Sequence, residues 1–252
     1  MKLEGLVALV TGGSSGLGEA SVIALVEAGC KVMIGDMNEE GAKALIAKFG
    51  KDKVAFVKTD VSDEQACNDL VEQTVKTFGA VHIVLNSAGI AVRTSILTAT
   101  QEDITKILKI NVIGTFNVSK AAAYQMSKQK PISEKDERGV IINVASIMGI
   151  EATPDLVGYA MSKGAIIGMT LPLARDLGKF GIRVVTLAPG LFLTPMGKSY
   201  PEKFLKVVKR VTPLNRIGAP EEFADAVISV AKNSFLTGEV IRLDGGLRIG
   251  HA

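Results

Sequence analysis

Residues 7 to 18 read VALVTGGSSGLG, an apolar β-branched run that breaks into a glycine cluster and passes at once into the helical pattern EASVIALVEAG of residues 19 to 29. A strand that turns into a helix within so few residues needs positions without Cβ, and Gly12, Gly16 and Gly18 supply them. With Ser14, Ser15 and Leu17 they form a loop whose backbone N–H groups, together with the positive end of the following helix, can approach a pyrophosphate closely. A glycine cluster can also be no more than a tight connection. What sets this one apart is that strand, loop, helix and a downstream acid fall in order.

That acid is Asp36, at the end of the second apolar run, KVMIGD, 31 to 36. A carboxylate there accepts from both ribose hydroxyls and repels a 2′-phosphate. Ser14 and Ser15 in the loop, and Met37 and Asn38 after the acid, offer no compensating arginine, so the expected cofactor is NAD. The other reading of Asp36 is a cap on the next helix.

Strand patterns at 7 to 11, 31 to 36, 53 to 58, 81 to 86, 139 to 145, 183 to 188 and 238 to 243 alternate with helical ones at 16 to 29, 39 to 49, 63 to 78, 101 to 127, 158 to 179 and 220 to 233. Continuous apolar strands separated by helices predict an α/β fold: a single-domain Rossmann fold over residues 1–252, with a doubly wound seven-stranded parallel sheet and helices on both faces. Ser62, ahead of Asp63 and Glu64, reads as a helix cap, and Pro220 with Glu221 and Glu222 as a helix start. Two segments break the rhythm. The polar run 127 to 138 reads as a surface insertion, and 191 to 217, with a short helix near 201 to 210, as a lid over a site.

Composition narrows the function. The 252 residues are 47% hydrophobic and 22% charged, with a net charge of +3, and no block of like charge suggests a nucleic-acid arm. No apolar stretch reaches the ~18 residues of a spanning helix. The first residues show neither a secretory h-region nor an Arg-rich presequence, so a secreted protein is not expected. Two cysteines, Cys30 and Cys67, with no CxxC, suit a reducing compartment.

By the switch-point rule, ligands bind outside the carboxyl ends of such strands. Asp60 could accept from an adenine amino group while Val61 packs on the ring. Asn86, Ala88 and Gly89 close the fourth strand with small residues against the nucleotide.

The only histidines are His82, inside an apolar strand, and His251, so a histidine triad or a histidine-rich metal site has little to work with, and no metal is expected. Acid and base must come from elsewhere. Tyr159 precedes Lys163 by one helical turn, which puts both on one face. An adjacent ammonium would draw the phenol down from ~10 toward neutrality; the alternative is a buried tyrosine beside a solvated lysine. Ser146, after strand five, could hold the same substrate oxygen. Asn111, mid-helix, is a poor helix former: either it makes a local side-chain bond, or a kink exposes its carbonyl to a water that reaches Lys163.

Taken together, TGxxxGxG from Thr11, Asn86-x-Ala88-Gly89, Asn111, Ser146, Tyr159-xxx-Lys163 and Pro189-Gly190 resemble the short-chain dehydrogenase/reductase family across essentially the whole chain. The resemblance implies hydride exchange between nicotinamide and a carbonyl carbon. It implies that Tyr159 is the general acid/base, that Lys163 lowers its pKa and binds the nicotinamide ribose, that Ser146 orients the carbonyl and that Asn111 holds a relay water. It also implies that Pro189, Gly190, Leu191 and Thr194 border the carboxamide, and that helices carrying Asn111 and Tyr159 build a homotetramer. Ser87 departs from the asparagine of many members.

GIAV at 89 to 92, GVIIN at 139 to 143, APGLF at 188 to 192 and GEVIRLDG at 238 to 245 are similar to the type 2 3-hydroxyacyl-CoA dehydrogenases, also called type 10 17β-hydroxysteroid dehydrogenases. That likeness implies NAD, an acyl-CoA substrate and a place in the mitochondrial matrix, with the cytoplasm as the alternative. It implies a pocket of Ser146, Met148, Tyr159, Leu191, Phe192 and Met196. The stretch after Val92 is shorter than in the animal enzymes. Arg93, Lys198, Lys203, Lys206, Lys209 and Arg210 could meet a CoA phosphate, or simply form a solvated helix face. Alternatives are a 3-oxoacyl-carrier-protein reductase, a hydroxysteroid or secondary-alcohol dehydrogenase, and a nonenzymatic dinucleotide-sensing scaffold.

Overall fold

Seven strands, β1 (Val7–Thr11), β2 (Lys31–Asp36), β3 (Val54–Lys58), β4 (Ile83–Asn86), β5 (Gly139–Val144), β6 (Ile182–Pro189) and β7 (Val240–Leu243), pair in parallel in the order β3-β2-β1-β4-β5-β6-β7. A computed structural model of the chain describes residues 2–134, 136–198 and 200–248, with the side chains of Met196 and Lys198 outside that description. β1, β4, β5 and β6 are buried along their whole length, as their unbroken apolar runs require once helices cover both faces.

Helices α1 (Gly16–Glu27) and α2 (Glu39–Phe49) cover one face, with Leu25 and Leu45 in its core. The other carries α3 (Glu64–Phe78), with α4 (Gln101–Leu108) and α5 (Gly114–Ser127) following in the chain; Leu70 and Val118 share its core. α6 (Val157–Gly178) completes that second face through Ala174. Next come the short α7 (Pro195–Lys198) and α8 (Glu202–Val211). α9 (Pro220–Lys232) returns to the first face and packs on α1, with Phe223 buried.

The sheet order reverses between β1 and β4, so the connections from these two strands leave on opposite faces and open a crevice at their carboxyl ends. Thr11 pairs with Asn86, which pairs with Asn143, so three strand ends reach that crevice level.

Four sequence expectations shift. The helix expected over 101 to 127 is broken by a π-helical turn, Lys109–Ile113, because Asn111 bonds outward to another chain segment. Asp63, not Ser62, caps α3: its carboxylate accepts from the N–H groups of Gln65 and Ala66 at 2.8 and 3.2 Å, while the Ser62 hydroxyl donates to Asp60. The seventh strand starts at Val240 rather than 238, since Gly238 has a φ of +74°, which no strand residue adopts. The segment 127 to 138 is not all surface. Glu137 is buried against Arg183 at 2.8 Å, and three further Arg183 N–H groups donate to the carbonyls of Val230, Ala231 and Leu236. His82 accepts from the Val7 N–H at 3.0 Å, and burial holds its pKa down, as suits a satisfied core histidine.

Candidate active site

The glycine loop turns sharply because Gly12 and Gly16 adopt φ of +65° and +58°. A Cβ on Gly12 would lie 2.8 Å from the Ala88 backbone, so the loop rests directly on the end of β4. A Cβ on Gly18 would strike the Gly12 carbonyl, which is how closely α1 seats on the loop. Asp36 accepts from the Ser14 N–H at 3.0 Å and the Asn38 N–H at 2.9 Å. It is therefore pinned beside the loop, and the cap on α2 is Asn38 instead.

One cavity of about 700 Å³ runs from this loop to α8. Gly12, Ser15, Gly16 and Leu17 line it first, then Asp36, Asp60 and Val61, then Ala88 and Gly89. Ser146, Met148, Tyr159 and Lys163 follow, and Pro189, Gly190, Leu191, Phe192 and Thr194 border its far side. Four residues named from sequence stand behind the wall, the fully buried Asn111 among them. Ser14 contributes its backbone N–H to Asp36 while its side chain is buried; Gly18 lies under the loop; Asn86 donates to Ser119 and Asn143, both at 2.9 Å, tying β4 to β5 and α5. Phe192 turns largely into the core, edge-on to Phe223 with ring centroids 6.1 Å apart. The Met196 side chain, also named from sequence, lies outside the described residues.

Ser146 lies two residues past the end of β5 and caps a single 3-10 turn, its oxygen accepting from the Met148 N–H at 3.1 Å while it also hydrogen-bonds Tyr159. Lys163 reaches back under the sheet end, donating to the Val144 carbonyl at 2.8 Å with its Nζ 5.7 Å from the centre of the Tyr159 ring. Asn111 accepts from the Ile90 N–H and donates to the Ile90 carbonyl, both at 2.9 Å, and donates to Ser162 at 3.0 Å. Ser162 in turn donates to the Tyr159 carbonyl at 2.7 Å. Asn111 thus steadies the turn that carries Tyr159, and its own backbone carbonyl accepts from the Thr115 hydroxyl at 2.7 Å. Gly89 lets Asn111 and Lys163 converge: a Cβ there would sit 3.2 Å from Asn111 Oδ1 and 3.6 Å from Lys163 Nζ.

Electrostatics run against the sequence expectation for the Tyr159–Lys163 pair. Burial pushes the Tyr159 phenol up to about 12, opposed by the Ser146 hydrogen bond and reinforced by nearby Tyr200. The same burial brings Lys163 down to about 8. The lysine is held by Val144, so its charge does not act on the phenol at hydrogen-bond range. Tyr159 accordingly stands as a protonated acid at neutral pH.

Sequence reasoning missed several lining residues. Tyr200, tilted against Phe204 with centroids 4.9 Å apart, and Ile147, Leu247 and Arg248 all face the cavity. Nothing local marks Leu247 or Arg248, which arrive through the tertiary fold. The inward row Phe204, Val207, Val208 and Val211 on α8 was legible in its 3- and 4-residue spacing. Lys203, Lys206, Lys209 and Arg210 are exposed, and Lys206 pairs with Glu202 at 2.8 Å. Arg93 lines the cavity, 4.0 Å from Asp155. Among the described residues no cluster of His, Cys, Asp and Glu could hold a metal ion, and no helix is long and apolar enough to cross a membrane.

A glycine-loop crevice at the switch point of a parallel sheet, leading to a buried serine and lysine and a half-buried tyrosine, defines an oxidoreductase of the dinucleotide-binding class. The chain belongs to the short-chain dehydrogenase/reductase family and uses a nicotinamide cofactor on CH–OH groups. The family model described as enoyl-(acyl carrier protein) reductase matches residues 12–248. The human 3-hydroxyacyl-CoA dehydrogenase type-2 is 42% identical over 98% of this chain and 97% of that protein. The 3-oxoacyl-[acyl-carrier-protein] reductase FabG of Thermotoga maritima is 36% identical over 99% and 100%. The crystal structure of 3-hydroxyacyl-CoA dehydrogenase type-2 from Mycobacterium avium matches with a TM-score of 0.92 and 36% identity, covering 98% of this chain and 97% of that one.

Proposed function

We propose that this chain is an NAD-dependent dehydrogenase interconverting 3-hydroxyacyl-CoA and 3-oxoacyl-CoA. The observation that carries the reading is the single cavity that joins Asp36 at one end to Ser146, Tyr159 and Lys163 further in, under an apolar lid. The residues fit a dinucleotide: the cradle lacks Cβ atoms at Gly12 and Gly16, and the Asp36 carboxylate is fixed where a ribose would lie. Ser15, Leu17, Asp60, Val61, Ala88 and Gly89 would hold the rest of the nucleotide, Lys163 the second ribose, and Pro189, Gly190, Leu191 and Thr194 the carboxamide.

When bound, the nicotinamide supplies or accepts the hydride. Ser146 holds the substrate oxygen, and Tyr159 Oη gives that oxygen a proton on reduction or takes one on oxidation. Lys163 adds positive charge beneath the site once it engages a ribose. We read 191–217 as the lid: Phe204, Val207, Val208 and Val211 exclude water and pack on the acyl portion. Exposed Ile113, Phe116 and Tyr124 on or beside α5, and Val157, Met161 and Leu171 on α6, give an apolar face that supports homotetramer assembly.

The exposed lysines of α8 favour a carrier-protein thioester as a second reading, and the apolar lid would suit a hydroxysteroid. The test is kcat/KM with acetoacetyl-CoA, an acetoacetyl carrier protein and a hydroxysteroid, each with NAD(H) and NADP(H). Highest efficiency with the CoA thioester and NADH is expected. Preference for carrier protein with NADPH, or for the steroid, would overturn the substrate assignment.

A further inference from the structure

Behind the lid lies a second cavity of about 100 Å³ whose wall is shared with the first through Leu191, Phe192, Val208 and Leu247. Val208 comes from α8 and Leu247 from the segment after β7, and with Ile147 they form a small hydrophobic cluster separate from the two main cores. Both are buried, at 9% and 5% exposure, so they are a partition rather than a surface. Charged groups bordering the second cavity are satisfied within the protein. Arg216 grips Glu222 through two contacts, at 2.6 and 2.5 Å, and Asp244 accepts from Arg242 at 2.7 Å and Arg248 at 3.3 Å. The space therefore suits an alkyl chain end and not an anion.

We infer that Val208 and Leu247 set the upper acyl chain length, and that thinning this partition lets the chain terminus enter the second cavity. The inference rests on the acyl-thioester reading of the site. Leu214 borders the second cavity without lining the first and is 59% exposed, so a larger residue there fills that space from the solvent side.

The test is kcat/KM with NADH for straight-chain 3-oxoacyl-CoA esters from acetoacetyl-CoA upward. It compares the wild type, Leu247→Ala, Val208→Ala and the double variant Leu247→Ala/Leu214→Trp. At the length where the wild type falls off, the long-to-short ratio should rise about fourfold per newly accommodated methylene in either alanine variant. Leu214→Trp should cancel the gain. Val208→Ala carries the test if Leu247→Ala does not fold. Unchanged ratios in active variants, or a gain that survives Leu214→Trp, would overturn the inference alone. A wild type that turns over no CoA thioester would remove the substrate reading and the inference with it.

Discussion

Replacing Gly12 by alanine perturbs the loop at its tightest point. Two costs add. Alanine in the left-handed region at φ +65° costs about 1–2 kcal/mol. Its Cβ would lie 2.8 Å from Ala88 Cα and N, a contact with backbone that cannot rotate away, and overpacking of this kind costs about 1–3 kcal/mol. The total is about 2–5 kcal/mol. Gly5 is the internal control: its φ is +75°, but a Cβ there meets nothing within 4 Å, so Gly5→Ala carries only the conformational term. The entropy that alanine removes from the unfolded chain is common to both and cancels in the difference. Urea denaturation of the two variants should therefore differ by about 1–3 kcal/mol. Dinucleotide titration should show weakened binding for Gly12→Ala and unchanged binding for Gly5→Ala. Equal stability in the two variants, with wild-type affinity in both, would refute the close approach of loop and strand.

Asp36→Ala should weaken NADH more than NADPH, measured by fluorescence titration; equal loss for both would remove the ribose-hydroxyl assignment. Lys163 is held at about 8 by burial against 10.5 in the unfolded chain, so between those values the unfolded state binds more protons and stability rises with pH. Lys163→Met should accordingly be more stable than wild type at pH 7, with the advantage vanishing by about pH 10.5; a pH-independent difference in urea midpoints would contradict this. Arg183→Met leaves the Glu137 carboxylate buried and unpaired and should cost about 3–5 kcal/mol. The double variant with Glu137→Leu should recover part of that loss in the same denaturation assay, and a double variant no more stable than the single would refute the pairing.

Much of the fold could be read from the chain because its strands are buried on both faces and carry unbroken apolar runs. The spans of β1, β2 and α2 follow from the local pattern of apolar and polar residues alone. What the sequence did not betray depends on tertiary partners. Asn111 breaks its helix because Ile90 offers it a backbone donor and acceptor 21 residues away. Glu137 sits in a polar run yet is buried, because Arg183 on β6 needs a counter-charge. In the site, Ser146, Tyr159 and Lys163 were legible through residue chemistry and helical spacing, and the structure brings them together. The state of the pair was not legible: spacing puts Lys163 and Tyr159 on one face, but only the fold shows the lysine drawn to the Val144 carbonyl. Leu247 and Arg248 reach the cavity from the far end of the chain, which no local pattern signals.

The most direct test of the central claim is the initial rate of NADH oxidation with acetoacetyl-CoA by the wild type and Tyr159→Phe, with NADPH run alongside. The account predicts rapid turnover with NADH that falls by about 10²–10⁴ in Tyr159→Phe while NADH binding is retained. Wild-type turnover in Tyr159→Phe, or a wild-type preference for NADPH, would contradict it.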